Sequence, residues 1–175
     1  LSSATPGQGA PRRNITGEFI KAEDNLYFTS IAVDYDFPET YGLEIVAGRS
    51  FDKEFGTDHT NAFILNESAV ADMRWESPEA AIGRPVNREG KQGTVIGVVK
   101  DFHFRPFDEN VRPQMFHQYE DYAPFKFFVR VEAGDPAPVL ADLERTWAGI
   151  EPNFPFKYSF LDEDLNRFYR AEERF

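Results

Sequence analysis

The sequence predicts an α+β domain, because strand-like stretches outnumber helical ones and the two kinds are interspersed late in the chain. In the strand-like stretches, apolar side chains either alternate with polar ones or run without interruption. One longer stretch instead repeats its apolar residues at spacings of three and four, which is typical of a helix with one buried face. The 175 residues are 41% hydrophobic and 28% charged, the composition of a globular chain.

Alternation predicts three strands, at residues 27–35, 125–131 and 156–160. In the first, Tyr, Thr, Ile, Val and Tyr occupy every second position, so we expect a strand buried on one face. Two short continuous apolar runs, at residues 62–65 and 94–99, predict strands that are covered on both faces.

Three helices are predicted from capping residues and apolar spacing. The best one has Asp135 as its N-cap and Pro136 in the first helical position. Its apolar face would carry Leu140, Leu143, Trp147 and Ile150. A shorter helix is capped by Asn66 and runs to Met73, and a third runs from Asp162 to the end of the chain.

Charge and composition exclude several classes of function. Lys and Arg number 19 against 30 Asp and Glu, so the net charge is −11, which repels nucleic-acid phosphates and anionic headgroups. We therefore expect no binding to nucleic acid. The chain has no cysteine, which excludes thiol catalysis, cysteine-ligated zinc and disulfides.

The ionisable residues form no recognisable catalytic or metal-binding motif. His59, His103 and His117 lie too far apart in sequence for a local metal site, and Asp34 and Asp36 belong to no calcium-loop pattern. There is no nucleophile elbow and no phosphate-binding loop. We therefore expect no enzyme, cofactor or metal, and assign no catalytic, cofactor-binding or metal-binding residue. A hydrolase with an acid pair is the least favoured alternative, because 30 acidic residues always allow some pair at a suitable distance.

Five segments, taken in order, carry a resemblance to a known family. They are Ser-Ser-Ala-Thr-Pro-Gly at residues 2–7, Asp-Tyr-Asp-Phe-Pro-Glu-Thr-Tyr-Gly-Leu-Glu-Ile-Val-Ala-Gly-Arg-Ser-Phe at 34–51, Ala-Phe-Ile-Leu-Asn-Glu-Ser-Ala-Val at 62–70, Pro-Glu-Ala-Ala-Ile-Gly-Arg at 78–84, and Gly-Thr-Val-Ile-Gly-Val-Val-Lys-Asp-Phe-His-Phe at 93–104. Over about residues 1 to 165 the chain resembles the periplasmic core domain of MacB-like, FtsX-family ABC transporter permeases.

The resemblance implies an extracytoplasmic domain (residues 1–175) between two transmembrane helices, built of two lobes. Residues 1–36 and 122–161 would form a porter-like lobe of ferredoxin-like βαβ units. Residues 37–119 would form a smaller inserted lobe of mixed α/β structure, and the helix at 162–175 would lead to the membrane.

The function implied by the resemblance is mechanical coupling rather than catalysis. A cytoplasmic ABC ATPase hydrolyses ATP, and the permease, as a homodimer in the bacterial inner membrane, carries the motion to its periplasmic side. There the domain engages a substrate or an adaptor protein, for export or for mechanotransmission. The alternative is a free secreted or periplasmic carbohydrate-binding module that uses exposed aromatic residues such as Phe102, Phe104, Tyr119 and Tyr122.

Overall fold

The computed structural model describes residues 2–4, 10–102, 111–118 and 126–164. The strands in this part of the chain are β1 (Arg12–Gly17), β2 (Tyr27–Val33), β3 (Ile45–Gly48), β4 (Ala62–Asn66), β5 (Pro85–Arg88), β6 (Lys91–Val99) and β7 (Gln114–Gln118). The α-helices are α1 (Phe37–Tyr41), α2 (Asp58–Asn61), α3 (Glu67–Asp72), α4 (Pro78–Ala81) and α5 (Ala137–Ile150), with a 3-10 turn at Ala22–Asp24. The fold is therefore mixed α+β, as predicted.

The chain divides into two compact units, Leu1–Phe128 and Val129–Phe175. The first unit contains all seven strands. The resemblance implies a different division, in which a lobe at 37–119 is inserted into another lobe. Its boundaries differ from those of the two compact units, and it stays a prediction.

The strands of the first unit form a sheet that closes on itself. Its order is β3-β6-β4-β7-β2-β1-β5, and β5 also pairs with β6, antiparallel, so that six strands make a ring. The pairing partner of β6 changes along its length: its first half lies beside β5 and its second half beside β3. The result is a small six-stranded barrel with β3 attached at one side.

The barrel interior is a continuous apolar core. Each of the six ring strands contributes a buried side chain to one cluster, which places that cluster inside: Ile15, Phe28, Phe63, Leu65, Val86, Val95, Val98 and Met115. Residues from α3, α4 and the turn between them complete it: Ala69, Val70, Met73, Trp75 and Ala81. An interior filled by side chains is what a ring of this size requires.

A second apolar cluster covers the outside of β2, β4 and β7. Its buried members are Ala4, Ile31, Val33, Phe37, Phe51, Ala62, Ile64, Val99 and Phe116. Helix α1 supplies Phe37 and ends at Gly42, whose positive φ of 69° accommodates the turn. Because Phe28 faces the interior while Ile31 and Val33 face this outer cluster, β2 is buried on both faces, and the predicted exposed face is wrong.

Two strands predicted from alternation are not formed. In the described part of 125–131, backbone pairing is limited to a single bridge between Ser2 and Lys126, and the side chain of Phe127 is 65% exposed. Residues 155–160 are irregular. Side-chain alternation makes a segment suitable for a sheet, but a strand also needs a partner strand. Residue 125 itself lies outside the described residues.

The predicted helices are present where the structure describes them. Helix α3 follows the predicted cap, Asn66, whose Oδ1 accepts a hydrogen bond from the Ala69 N–H at 3.1 Å. Helix α5 begins at Ala137, slightly later than predicted, and the Asp135 carboxylate accepts from the Ala137 N–H at 3.0 Å. The predicted stripe on α5 is half-buried over its first three residues but exposed at Ile150. Residues 161–164 are helical, and the rest of the third predicted helix lies outside the described residues.

Candidate functional site

A group of interacting polar side chains, here called the polar node, connects three segments of the first unit. It consists of Asn66, Ser68, Asp101 and Gln114. Asn66 ends β4 and caps α3, Asp101 lies just after β6, and Gln114 begins β7. The node therefore joins one end of each of three strands.

Asn66 is the centre of the node and is completely buried. Its Nδ2 donates hydrogen bonds to the Asp101 carboxylate at 2.7 Å and to the Arg112 carbonyl at 3.1 Å. Its Oδ1 accepts from the backbone N–H groups of Ala69 and Gln114, the latter at 2.8 Å. With four hydrogen bonds, the amide is fully used, and the cost of burying it is offset.

The carboxylate of Asp101 is held from several directions. Ser68 donates to it through both its backbone N–H and its hydroxyl, and the Asp101 N–H donates to Glu67 Oε2 at 2.9 Å. The serine hydroxyl thus faces a carboxylate, and no imidazole among the described residues is hydrogen-bonded to it. Among the described residues, these hydrogen bonds fix the backbone where β6 ends and α3 begins.

The node lies beside the end of the fifth resemblance segment, at 93–104, where the chain leaves β6. Lys100 pairs with Glu44 at 3.0 Å, and the ring of Phe102 stacks on that of Phe116 with centroids 6.0 Å apart. His103 and Phe104 lie outside the described residues. Sequence analysis found two members of the node, Asn66 as a cap and Asp101 in this segment, but not that they meet.

A second polar group lies inside the barrel and was missed by sequence analysis. Arg88 Nη1 is 2.9 Å from His117 Nε2 and 3.4 Å from the Ser30 hydroxyl. His117 Nδ1 is 3.0 Å from the Gln118 carbonyl, to which only an N–H can donate, so Nε2 is the acceptor for Arg88. The imidazole is thereby neutral and oriented toward arginine, so it cannot act as a base on Ser30.

Electrostatics keep this histidine uncharged. Burial is the main cause that lowers the pKa of His117 to about 4, and the nearby charge of Arg88 lowers it further, with smaller contributions from Lys91 and Arg13. The hydrogen bond to Gln118 acts in the opposite direction and is outweighed. A cation cluster around a partly buried neutral imidazole is a feature that only long-range strand pairing creates.

The other candidates from the sequence do not form a site in the described structure. No group of three or more histidine or acidic residues lies within reach of a common metal ion there. His59 is exposed on α2, whereas His117 is in the barrel, and Asp36 precedes α1. Of the aromatic residues considered for carbohydrate binding, Phe102 packs against the outer cluster. The other three, Phe104, Tyr119 and Tyr122, lie outside the described residues.

Among the described helices, none has the length and apolar character needed to cross a membrane.

Comparison with known proteins shows what the fold is similar to. No family model matches the chain, and no curated protein matches it. Among solved structures, the periplasmic region of MacB from Actinobacillus actinomycetemcomitans matches with a TM-score of 0.54 and 15% sequence identity, covering 95% of this chain and 74% of the other. The fold is that of the MacB periplasmic region. The resemblance seen in the sequence motifs is thus confirmed for the fold.

Two further solved structures match more distantly. The extracellular domain of the noncanonical ABC-type transporter YknZ from Gram-positive bacteria gives a TM-score of 0.47 at 14% identity. That match covers 63% of this chain, which spans about half (51%) of the YknZ domain. A domain of a permease protein from Porphyromonas gingivalis gives a TM-score of 0.48 at 15% identity, covering 90% of this chain and 76% of that one.

Proposed function

We propose that this chain is the extracytoplasmic domain of an ABC-type transporter permease. The observation that carries the proposal is the fold likeness to the MacB periplasmic region, which extends over 95% of the chain at a TM-score of 0.54. The order of the five sequence segments supports the same conclusion independently of the coordinates.

In this proposal, the domain transmits motion and makes or breaks no covalent bond. It binds a substrate or an adaptor protein with different affinity in two conformations of the permease, which is how a binding domain couples to a conformational cycle. The polar node supports this role. At its centre, the buried Asn66 amide forms four hydrogen bonds that tie the ends of β4, β6 and β7 together, so these ends move together.

The finer features of the proposal come from the family resemblance. Residues 1–36 and 122–161 form a porter-like lobe, residues 37–119 form the inserted lobe, and the helix at 162–175 leads to the membrane. A homodimeric permease of the bacterial inner membrane carries the domain on its periplasmic side. A cytoplasmic ATPase subunit drives it, for export or for mechanotransmission.

Fractionation of the complete gene product tests the proposal. The protein, expressed from its own gene with native ends and a small affinity tag, is expected in the inner-membrane fraction and to be released only by detergent. After solubilisation, an ABC ATPase subunit is expected to copurify with it. Recovery of the complete product in the soluble fraction would contradict the proposal, and so would a membrane complex that contains no ATPase.

A further inference from the structure

The outward face of β1, β5 and β6 forms an open groove with a volume of about 770 Å³. Strand register places Thr16 beside Asn87 and Asn87 beside Gln92, so these three side chains form one row across the strands. Thr94 lies two residues further along β6, on the same face, and Asn61 borders the groove. Successive side chains of a strand point to opposite faces. Because Ile15 and Val86 point into the barrel, their neighbours Thr16 and Asn87 point outward, and so does the rest of the row.

The floor of the groove is backbone. The neighbouring row across the three strands consists of Gly17, Val86 and Gly93, which the strand register places side by side. Val86 is buried in the interior core, and the two glycines have no side chain. A bound molecule can therefore approach the sheet closely between the rows of polar side chains.

Beside Pro85, Val86 and two glycines, the groove is lined by neutral hydrogen-bonding groups. They are the hydroxyls of Thr16 and Thr94 and the amides of Asn61, Asn87 and Gln92. Among the described residues that line the groove, Glu18 alone is charged, and it is paired with Arg84. This is unusual for a chain in which 28% of residues are charged and the net charge is −11.

Most of these groups are available to a ligand. Within the described part of the chain, the side chains of Thr16, Asn61, Gln92 and Thr94 make no hydrogen bond to another protein group. Asn87 uses its Oδ1 to accept from the Gly90 N–H at 2.7 Å, which fixes the turn between β5 and β6 and leaves the amide NH₂ as a donor.

The chemistry of the lining selects the class of ligand. An anion would require cationic side chains, and a metal ion would require several carboxylates. A purely apolar ligand would leave the hydroxyls and amides of the lining without hydrogen-bond partners. An added peptide strand needs an open sheet edge, but the facing edges of β1, β5 and β6 are paired with one another here. Hydroxyls and amides that both donate and accept match the hydroxyls of sugars. We propose that this groove binds a neutral oligosaccharide.

Titration of the isotope-labelled chain with chitotetraose, a neutral oligosaccharide, tests the proposal by nuclear magnetic resonance. We expect saturable amide shifts, with a Kd in the millimolar range, confined to residues 16–18, 61, 86–87 and 92–94. The double variant Gln92→Ala, Thr94→Ala loses two ligand hydrogen bonds, so its Kd should rise at least about fivefold. The control Thr40→Ala, on α1 and outside the groove, should bind as the unmodified chain does.

Three results of the sugar titration would overturn the proposal. They are no saturable shift up to about 10 mM sugar, shifts centred on other residues, and a double variant that keeps a native-like spectrum and binds with unchanged affinity. A neutral glycine–serine peptide is titrated in parallel, and preferential binding of the peptide would also overturn it. Because the chain itself is titrated, the outcome is independent of whether the complete protein is a permease.

Discussion

Two ionisable residues of the first unit, Asp58 and His117, are stabilised in opposite charge states: Asp58 is charged and His117 is neutral. The side chain of Asp58 is 1% exposed, and burial raises its pKa. Hydrogen bonds from Arg49, at 2.6 and 2.8 Å, and from the Asp52 N–H outweigh burial and hold the pKa of Asp58 below its usual value. His117 has cations as neighbours instead, so it is stable in the barrel only as the neutral form.

The free energy of unfolding should therefore fall as the pH falls from about 6.5 to about 4. The pKa of His117 is about 4 in the folded chain and near 6.5 when unfolded, so in this interval the unfolded chain binds one proton more. Protonation of His117 in the unfolded chain thus lowers the free energy of unfolding by up to about 3 kcal/mol over this pH interval. The charged groups that face the imidazole, Arg88, Lys91 and Arg13, stay protonated throughout and supply no compensating titration.

Urea unfolding at several pH values compares the unmodified chain with His117→Gln. Glutamine keeps an acceptor for Arg88 but cannot bind a proton in this range. The difference in unfolding free energy between the two chains should shrink or reverse in favour of the variant as the pH falls. Parallel pH profiles would mean that His117 is accessible to solvent and titrates equally in both states.

At the level of elements, sequence patterns predicted those segments whose signals are local. Continuous apolar runs located β4 and β6, and the Asn66 cap located α3. Alternation located β2 but failed at 125–131 and 156–160, since it carries no information about a pairing partner. The polar node depends on strand ends that are about 35 and 48 residues apart in sequence, which no local pattern encodes.

Asn66→Ala should destabilise the chain far more than removal of an ordinary helix cap. It leaves the N–H groups of Ala69 and Gln114 without their buried acceptor and removes two donors, so we expect a loss of about 3–5 kcal/mol. The matched control is Ser77→Ala at α4, whose hydroxyl likewise accepts from the third helical N–H, that of Ala80. There we expect about 1 kcal/mol. If both variants lose the same free energy of unfolding in denaturant, Asn66 stabilises the chain only as a helix cap and not through the polar node.

At the level of the whole molecule, closure of the sheet was the feature that sequence analysis did not predict. β5 and β7 have no strong alternation, and β5 is only four residues long. Closure depends on the pairing of β5 with the first half of β6, which leaves the second half of β6 free to pair with β3. The oligosaccharide groove and the arginine–histidine pair both exist because of this closure, which is why neither was visible as a motif.

Gly93 lies in β6 where that strand closes the ring with β5, and its lack of a side chain lets β6 pack closely against β4, so Gly93→Ala tests the packing of the barrel. A methyl group there would lie 2.6 Å from both the Asn61 carbonyl oxygen and the Phe63 ring, forcing β6 and β4 apart. We expect a loss of about 1–3 kcal/mol in thermal or urea unfolding. Gly56→Ala is the control, because a methyl group there meets nothing within 4 Å, and a change of less than about 0.5 kcal/mol, or a slight gain, is expected. If the two variants show the same change in the free energy of unfolding, β6 and β4 are not as closely packed in solution as they are in this barrel.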